Sequence, residues 1–286
     1  MKLFILTLIS LLAPICGCQP TQQQAAISTI FQLNSSGSWF ENLAIRPDGQ
    51  IIATRMDIPE LWLINPITRK GHSLITIPGV SGAIGISQQT SNTYIVGAGN
   101  VTADPFNFEP GSMKIFLLEF KGGYPILKLV TDLPDAMFIN GITPWSKTEV
   151  LVSDTVLGAV YQIDIRKGTS NETFFRVPIT NDFAIAGSVE TILSGISMDD
   201  FALTPEDIAY IATVGRGEIV RVDLDGNAVT VGGAATSLEI AGGTSARLAT
   251  SKEYGNILYV TTNGGLGAPV NGSVTEPAKV VAVKLS

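Results

Sequence analysis

The chain is poor in the side chains that carry covalent and acid–base chemistry. Among its 286 residues are one histidine and two cysteines. Both cysteines, Cys16 and Cys18, fall within the first 18 residues, so the body of the chain has no internal disulfide and no cysteine nucleophile. The lone histidine, His72, reads as the loop between the third and fourth strands of the first repeat. That position argues against a Ser–His–Asp triad and against a histidine-rich zinc site. Charge is sparse as well: 15% of residues are charged, with 18 basic against 25 acidic groups and a net charge of −7. No lysine or arginine cluster is present, which excludes nucleic-acid partners that bind through the phosphate backbone. No P-loop occurs, and Gly264-Gly265-Leu266-Gly267 is not followed by the helix that phosphate binding needs.

Only one long apolar run exists. Residues 1–18 read MKLFILTLISLLAPICGC. Lys2 supplies a short basic start, residues 3–12 an apolar segment, and Gly17 and Cys18 a small-residue cleavage region. This predicts a secretory signal peptide over 1–18 and a folded body over 19–286, delivered to the secretory pathway as a secreted or lumenal protein, with no membrane attachment once the signal is removed. Four Asn-x-Ser/Thr sequons, at Asn34, Asn100, Asn171 and Asn271, are the matching glycosylation candidates.

What the chain has in quantity is turns and short apolar strands. Glycine (29) and proline (15) punctuate runs of Val, Ile and Thr, the composition of an all-β protein. The runs repeat as strand, polar turn, strand, loop, strand. Five such units start at Leu43, Ile84, Ile139, Asp199 and Thr244. A weaker fourth strand follows the first four: HSLITI, ILKLVTD, ETFFRV and NAVTVGG. Four antiparallel strands per unit describe the blades of a single β-propeller. STIFQL, at residues 28–33, is placed to supply the missing outer strand of the last blade and close the ring. A sixth blade has room within residues 165–195, so five or six blades are compatible with the pattern.

In a propeller the inner strands begin at one mouth of the central channel, and the loops there carry function. The relevant segments are 38–42, 82–84, 137–140, 198–200 and 243–245, together with two long loops, 98–112 and 263–277. Three units open on a polar group: Glu41, Asn140 and Asp199. Two carboxylates and an amide at one mouth suit a hard cation such as Ca²⁺. The alternative is that they are ordinary turn residues.

Glu41 ahead of the first unit, Asn140-Gly141 opening the third and Asp199 opening the fourth resemble the SMP-30/gluconolactonase-like propellers. That resemblance implies six blades and one divalent metal held by Glu41, Asn140 and Asp199. The sequence departs from the pattern at Glu41-Asn42-Leu43, at Asp199-Asp200, and in the second unit, where Gly82-Ala83-Ile84-Gly85 replaces polar substrate-binding residues. An apolar mouth fits a sugar lactone poorly, because its hydroxyls would lack partners. WFENLAIRPDGQIIATR, FINGI and DDFALTPEDIAYIAT resemble a secreted fungal branch of these propellers. Some members are hetero-Diels–Alderases, which join a tropolone-derived o-quinone methide to a sesquiterpene alkene. The resemblance then implies hydrophobic small-molecule substrates and no required cofactor, with a divalent cation as an option. Trp39, Phe40, Phe106, Phe108, Met137, Phe138, Asn140 and Ser245 would line the pocket, and Arg55 or Arg216 would polarise the quinone-methide oxygen. Two other readings stand beside it. One is a metal-dependent lactonase with Asp199 or Asp200 as base; the other is a propeller that binds a small molecule without catalysis.

Overall fold

A computed structural model describes residues 24–173, 196–249 and 256–285. The expected signal peptide and part of the segment considered for a sixth blade lie outside these residues. Each of the first four sequence repeats forms one four-stranded antiparallel sheet, and the fifth supplies three strands of another. Blade 1 contains β2 (Phe40–Ile45), β3 (Ile51–Arg55), β4 (Glu60–Asn65) and β5 (Lys70–Thr76). Blade 2 contains β6 (Gly82–Thr90), β7 (Thr93–Gly99), β10 (Met113–Lys121) and β11 (Tyr124–Leu133), with a hairpin of β8 (Val101–Ala103) and β9 (Phe106–Phe108) inserted before β10. Blade 3 contains β12 (Ile139–Pro144), β13 (Glu149–Asp154), β14 (Ala159–Asp164) and β15 (Thr169–Thr173). Blade 4 contains β16 (Phe201–Leu203), β17 (Ala209–Thr213), β18 (Glu218–Val222) and β19 (Ala228–Gly233).

The last blade joins the two ends of the chain. Strands β20 (Gly243–Leu248), β21 (Ile257–Thr262) and β22 (Lys279–Lys284) come from the C-terminal repeat. The outer strand is β1 (Ala26–Gln32), which pairs antiparallel with β22 from Ala26↔Lys284 to Gln32↔Lys279. STIFQL therefore closes the ring as its position implied. Inner strands β20, β2, β6 and β12 pack in that order, and β16 and β17 pack against β20. The described residues thus form five blades, the number of repeats counted, where the family resemblance implied six.

Local chemistry explains the strands. All six residues of β2 and all five of β3 are buried, because neighbouring blades cover both faces of an inner strand. Apolar residues on both faces are the sequence form of that environment. Outer strands are more exposed instead: β5 has no buried residue and β11 only Leu133. The Pro47-Asp48-Gly49 turn forms as read: Gly49 has φ +81° and its N–H donates to the Arg46 carbonyl at 2.9 Å. A side chain is disfavoured at that φ. Each buried isoleucine between blades, such as Ile51 or Ile52, contributes roughly 1.5–3 kcal/mol.

Two strand readings need correction. The fourth strand of blade 3 begins earlier than ETFFRV, because the Asp164–Gly168 turn brings Thr169 directly opposite Asp164. His72 lies inside β5, opposite Leu63, and is exposed rather than part of a loop.

Candidate functional site

The mouth of the ring is tied together by side chains from four blades. Glu41 on β2 is 4% exposed. One of its carboxylate oxygens accepts from the Trp39 indole N–H, and the other accepts from Asn140 Nδ2 at 3.4 Å. Next to it, Asn42 Nδ2 donates to Asn140 Oδ1 at 3.2 Å and to Asp200 Oδ2 at 2.6 Å. Ser245 on β20 donates to Asn42 Oδ1 at 3.0 Å. Burial lifts the Glu41 carboxyl well above the usual carboxylate range, and the neighbouring Asp199 charge adds to the shift. Burial, with the Asp200 charge behind it, raises Asp199 to about 7.

The three residues chosen as metal ligands therefore do converge. Their oxygens match a hard cation in type, and each accepting oxygen keeps a lone pair beside its hydrogen bond. Both Glu41 oxygens and Asn140 Oδ1 already accept protein N–H groups. Among the described residues, no group of three Asp, Glu, His or Cys side chains is arranged to hold a metal ion. What stands there is a hydrogen-bonded knot at the axis.

The expected aromatic pocket is mostly packing. Phe40 is fully buried against Phe31 and Trp62, with ring centroids 6.5 and 6.3 Å away. It seals the joint between the first and last blades and does not face the channel. Trp39 is buried in the cluster that joins blades 1, 2 and 3. Phe106 and Phe108 on the inserted hairpin cover Phe138 at 5.4 and 5.6 Å, forming an aromatic cap over it. Met137 is half-buried beside that cap. Its N–H and that of Phe138 donate to Asp154, at 2.7 and 3.3 Å, so Asp154 shapes this loop.

Both arginines chosen to polarise substrate are engaged elsewhere. Arg55 is buried between the Phe40 and Trp62 rings and forms a two-pronged ion pair with Asp57, its Nε lying 2.7 Å from Oδ1. Arg216 is exposed in the β17–β18 turn and pairs with Glu218 at 2.9 Å. The apolar run in the second unit also has a packing cause. A Cβ on Gly85 would stand 2.2 Å from the Asn140 carbonyl oxygen, and Ile84 is fully buried. Blades 2 and 3 approach too closely there for a side chain at residue 85. Of the glycosylation candidates, Asn34 and Asn271 are exposed, Asn100 donates to Glu109 at 2.7 Å, and Asn171 sits in β15.

A cavity lies between blades 3 and 4 among the described residues, lined also by Ser87 of blade 2 and by Arg247 and Leu248 of the last blade. It holds about 610 Å³. Ile142, Leu151, Val160, Ala202, Leu203 and Leu248 supply an apolar wall, with Phe201 at the rim, 52% exposed. Polar groups are few: Ser87, Thr143, Ser153, Asp200 and Arg247. Ser153 is committed to its own sheet, accepting from Gly141 N–H at 2.9 Å. None of the six residues Trp39, Phe40, Phe106, Phe108, Met137 and Phe138 lines this cavity. Sequence reading missed Arg247 and Asn42. The available signal for Arg247 was a lone cation in the inner-strand run TSARLAT.

No family model matches the chain. It is 22% identical to a protein from Phoma sp described as "Putative hetero-Diels-Alderase", over 87% of this chain and 88% of that one. A solved structure from Thermus thermophilus, described as a "putative oxidoreductase (glucose dehydrogenase)", superposes with a TM-score of 0.59 at 12% identity, covering 91% of this chain and 99% of that one. The major allergen Mala s 1 of Malassezia sympodialis gives a TM-score of 0.58 at 11% identity, covering 85% and 92%. The solved structures share the propeller fold, and the sequence likeness along most of the chain is to the Phoma protein.

Proposed function

We propose that this protein is a cyclase of the hetero-Diels–Alder type, joining an o-quinone methide of tropolone type to a sesquiterpene alkene. The carrying observation is the cavity between blades 3 and 4, which is walled mainly by aliphatic groups and has no nucleophile–base pair among its described lining residues. Its volume falls in the range of small-molecule sites, about 300–1,000 Å³. The likeness to the Phoma protein supports the reaction class.

The reaction matches that inventory. One bond forms between the methide carbon and an alkene carbon, and a second between the quinone-methide oxygen and the other alkene carbon. Three π bonds become one, no proton is transferred and nothing leaves. The protein then has to hold two apolar partners in one relative orientation, and positioning of this kind supplies up to roughly 7–11 kcal/mol in favourable cases. The test is to generate the quinone methide with a humulene-type alkene present and resolve the adduct on a chiral column. The proposal expects one enantioenriched adduct. A product distribution equal to the buffer control refutes it.

One observation favours a second reading, lactone hydrolysis. Asp199, with its pKa raised to about 7, is suited to general-base work near neutrality. Hydrolysis of aryl or aliphatic lactones that is lost in Asp199→Asn supports this reading.

A further inference from the structure

We infer that Arg247 anchors an anionic or strongly polarised oxygen on a flat, mainly apolar ligand bound between blades 3 and 4. The assignment rests on the same cavity as the proposed cycloaddition and gives its ligand a polarity and an orientation.

Five of the six other described arginines pair with a carboxylate, the exception being the exposed Arg69. Arg46 pairs with Asp48 at 3.3 Å and lies over the Phe120 ring. Arg55 pairs with Asp57 and Arg221 with Asp223. Arg247, half-buried on the inner strand β20, has no ion pair with any described residue. Its Nη1 donates to two neutral acceptors, the carbonyls of Phe201 at 3.0 Å and Ala246 at 2.9 Å. A guanidinium carries five N–H donors, and Nε and Nη2 meet no acceptor among the described residues. The nearby carboxylate, Asp200, is held by Asn42 at 2.6 Å. A partly desolvated cation with no direct ion pair retains unused hydrogen-bonding capacity. Burial accordingly lowers the Arg247 pKa, with Asp200 opposing.

Position says what would use that capacity. Arg247 lines the 610 Å³ cavity and also a second one of about 170 Å³ at the far end of the channel, bounded by Leu43, Ala44, Ile45 and Ile86. It is the charged group standing where both meet. The two neutral bonds fix Nη1, so the planar group is oriented before a ligand arrives, and a guanidinium with free donors binds oxygen at two points. A small inorganic anion would leave the aliphatic walls unfilled. A ring system with one electron-rich oxygen satisfies both parts. In the cycloaddition that atom is the quinone-methide oxygen, and donors aimed at it stabilise the charge it gains as the alkene adds.

The probes are tropolone, an anion in mildly alkaline buffer, and 2-methoxytropone, its neutral ether of similar shape. Each is titrated calorimetrically into the wild-type protein and into Arg247→Lys, Arg247→Gln and Leu203→Phe, with circular dichroism to confirm folding. Arg247→Gln is expected to weaken tropolone binding ~10- to 100-fold, as loss of a charged hydrogen bond does, and to leave the ether nearly unchanged. Arg247→Lys should fall between. Leu203→Phe, which fills the cavity from a 56% exposed position, should weaken both probes alike. The inference is overturned if wild type does not bind tropolone, if Arg247→Gln binds it as tightly as wild type, or if Arg247→Gln loses both probes equally. The chiral adduct assay separates this from the reaction class. Selective tropolone binding through Arg247 without enantioenriched adduct keeps the anchor and removes the cycloaddition. Unchanged selectivity in Arg247→Gln does the reverse.

Discussion

Replacing Asn42 by alanine removes three side-chain hydrogen bonds from the axis of the ring. They run to Asn140 at 3.2 Å, to Asp200 at 2.6 Å and from Ser245 at 3.0 Å. Asn42 belongs to blade 1, and its partners belong to blades 3, 4 and 5. The bond to Asp200 is charge-assisted and worth roughly 1.5–3 kcal/mol, and stranding the fully buried Ser245 hydroxyl costs about 1–3 kcal/mol more. Water can reach half-buried Asp200, which offsets part of its loss. A net destabilisation of about 3 kcal/mol follows, or roughly 6–12 °C in the thermal midpoint for a domain of this size. Urea unfolding followed by tryptophan fluorescence, with the slope checked for two-state behaviour, gives the free energy directly. The isosteric Asn42→Asp sharpens the test. It places another carboxylate beside Asp200, Glu41 and Asp199, so it should be worse than alanine above neutrality and recover in acid. An Asn42→Ala protein within about 0.5 kcal/mol of wild type would refute the idea that this knot holds the blades in register.

Three further outcomes follow from the same geometry. Folded Asp199 keeps its proton to about 7, while an unfolded aspartate releases it near about 4; between those values the folded state binds more protons, so stability falls as pH rises through the window. Glu41 shifts in the same direction; the thermal midpoint should drop from mildly acidic to neutral buffer, Asp199→Asn should flatten that slope, and a midpoint that climbs instead contradicts it. Gly85→Ala puts a methyl 2.2 Å from the Asn140 carbonyl oxygen and should cost about 3 kcal/mol in a denaturant titration. Phe40→Ala should cost about 3–5 kcal/mol yet leave the adduct stereochemistry of the folded protein unchanged; a changed product ratio would return Phe40 to the binding site.

The blades were legible because an inner strand must be apolar on both faces and its turns must be polar. IIATR and ILYVTT state that directly, and STIFQL declared itself as the missing outer strand of an incomplete repeat. The convergence of Glu41, Asn140 and Asp199 was legible for a related reason: each opens an inner strand, and radial symmetry brings such positions together. What the sequence concealed is which neighbour each side chain meets. Arg55 looked free until Asp57, two residues on, turned back to pair with it. Phe40 and Glu41 are adjacent in sequence but point to opposite faces of one strand, so one is inter-blade packing and the other axial. Gly85 looked like part of a greasy mouth because a close backbone approach and an apolar pocket leave the same residues behind. Arg247 shows in sequence only as a lone cation, because its lack of an ion pair with any described carboxylate appears only in three dimensions.

In the proposed reaction the cavity between blades 3 and 4 orients a heterodiene and an alkene. The most direct measurement is the enantiomeric excess of the adduct formed by wild type and by Leu203→Phe, at equal folded concentration, with and without a chelator. Wild type should give a strongly enriched adduct, the filled cavity little enrichment, and the chelator no effect. Equal enrichment from both proteins, or a racemic adduct from wild type at the buffer rate, contradicts that role of the cavity.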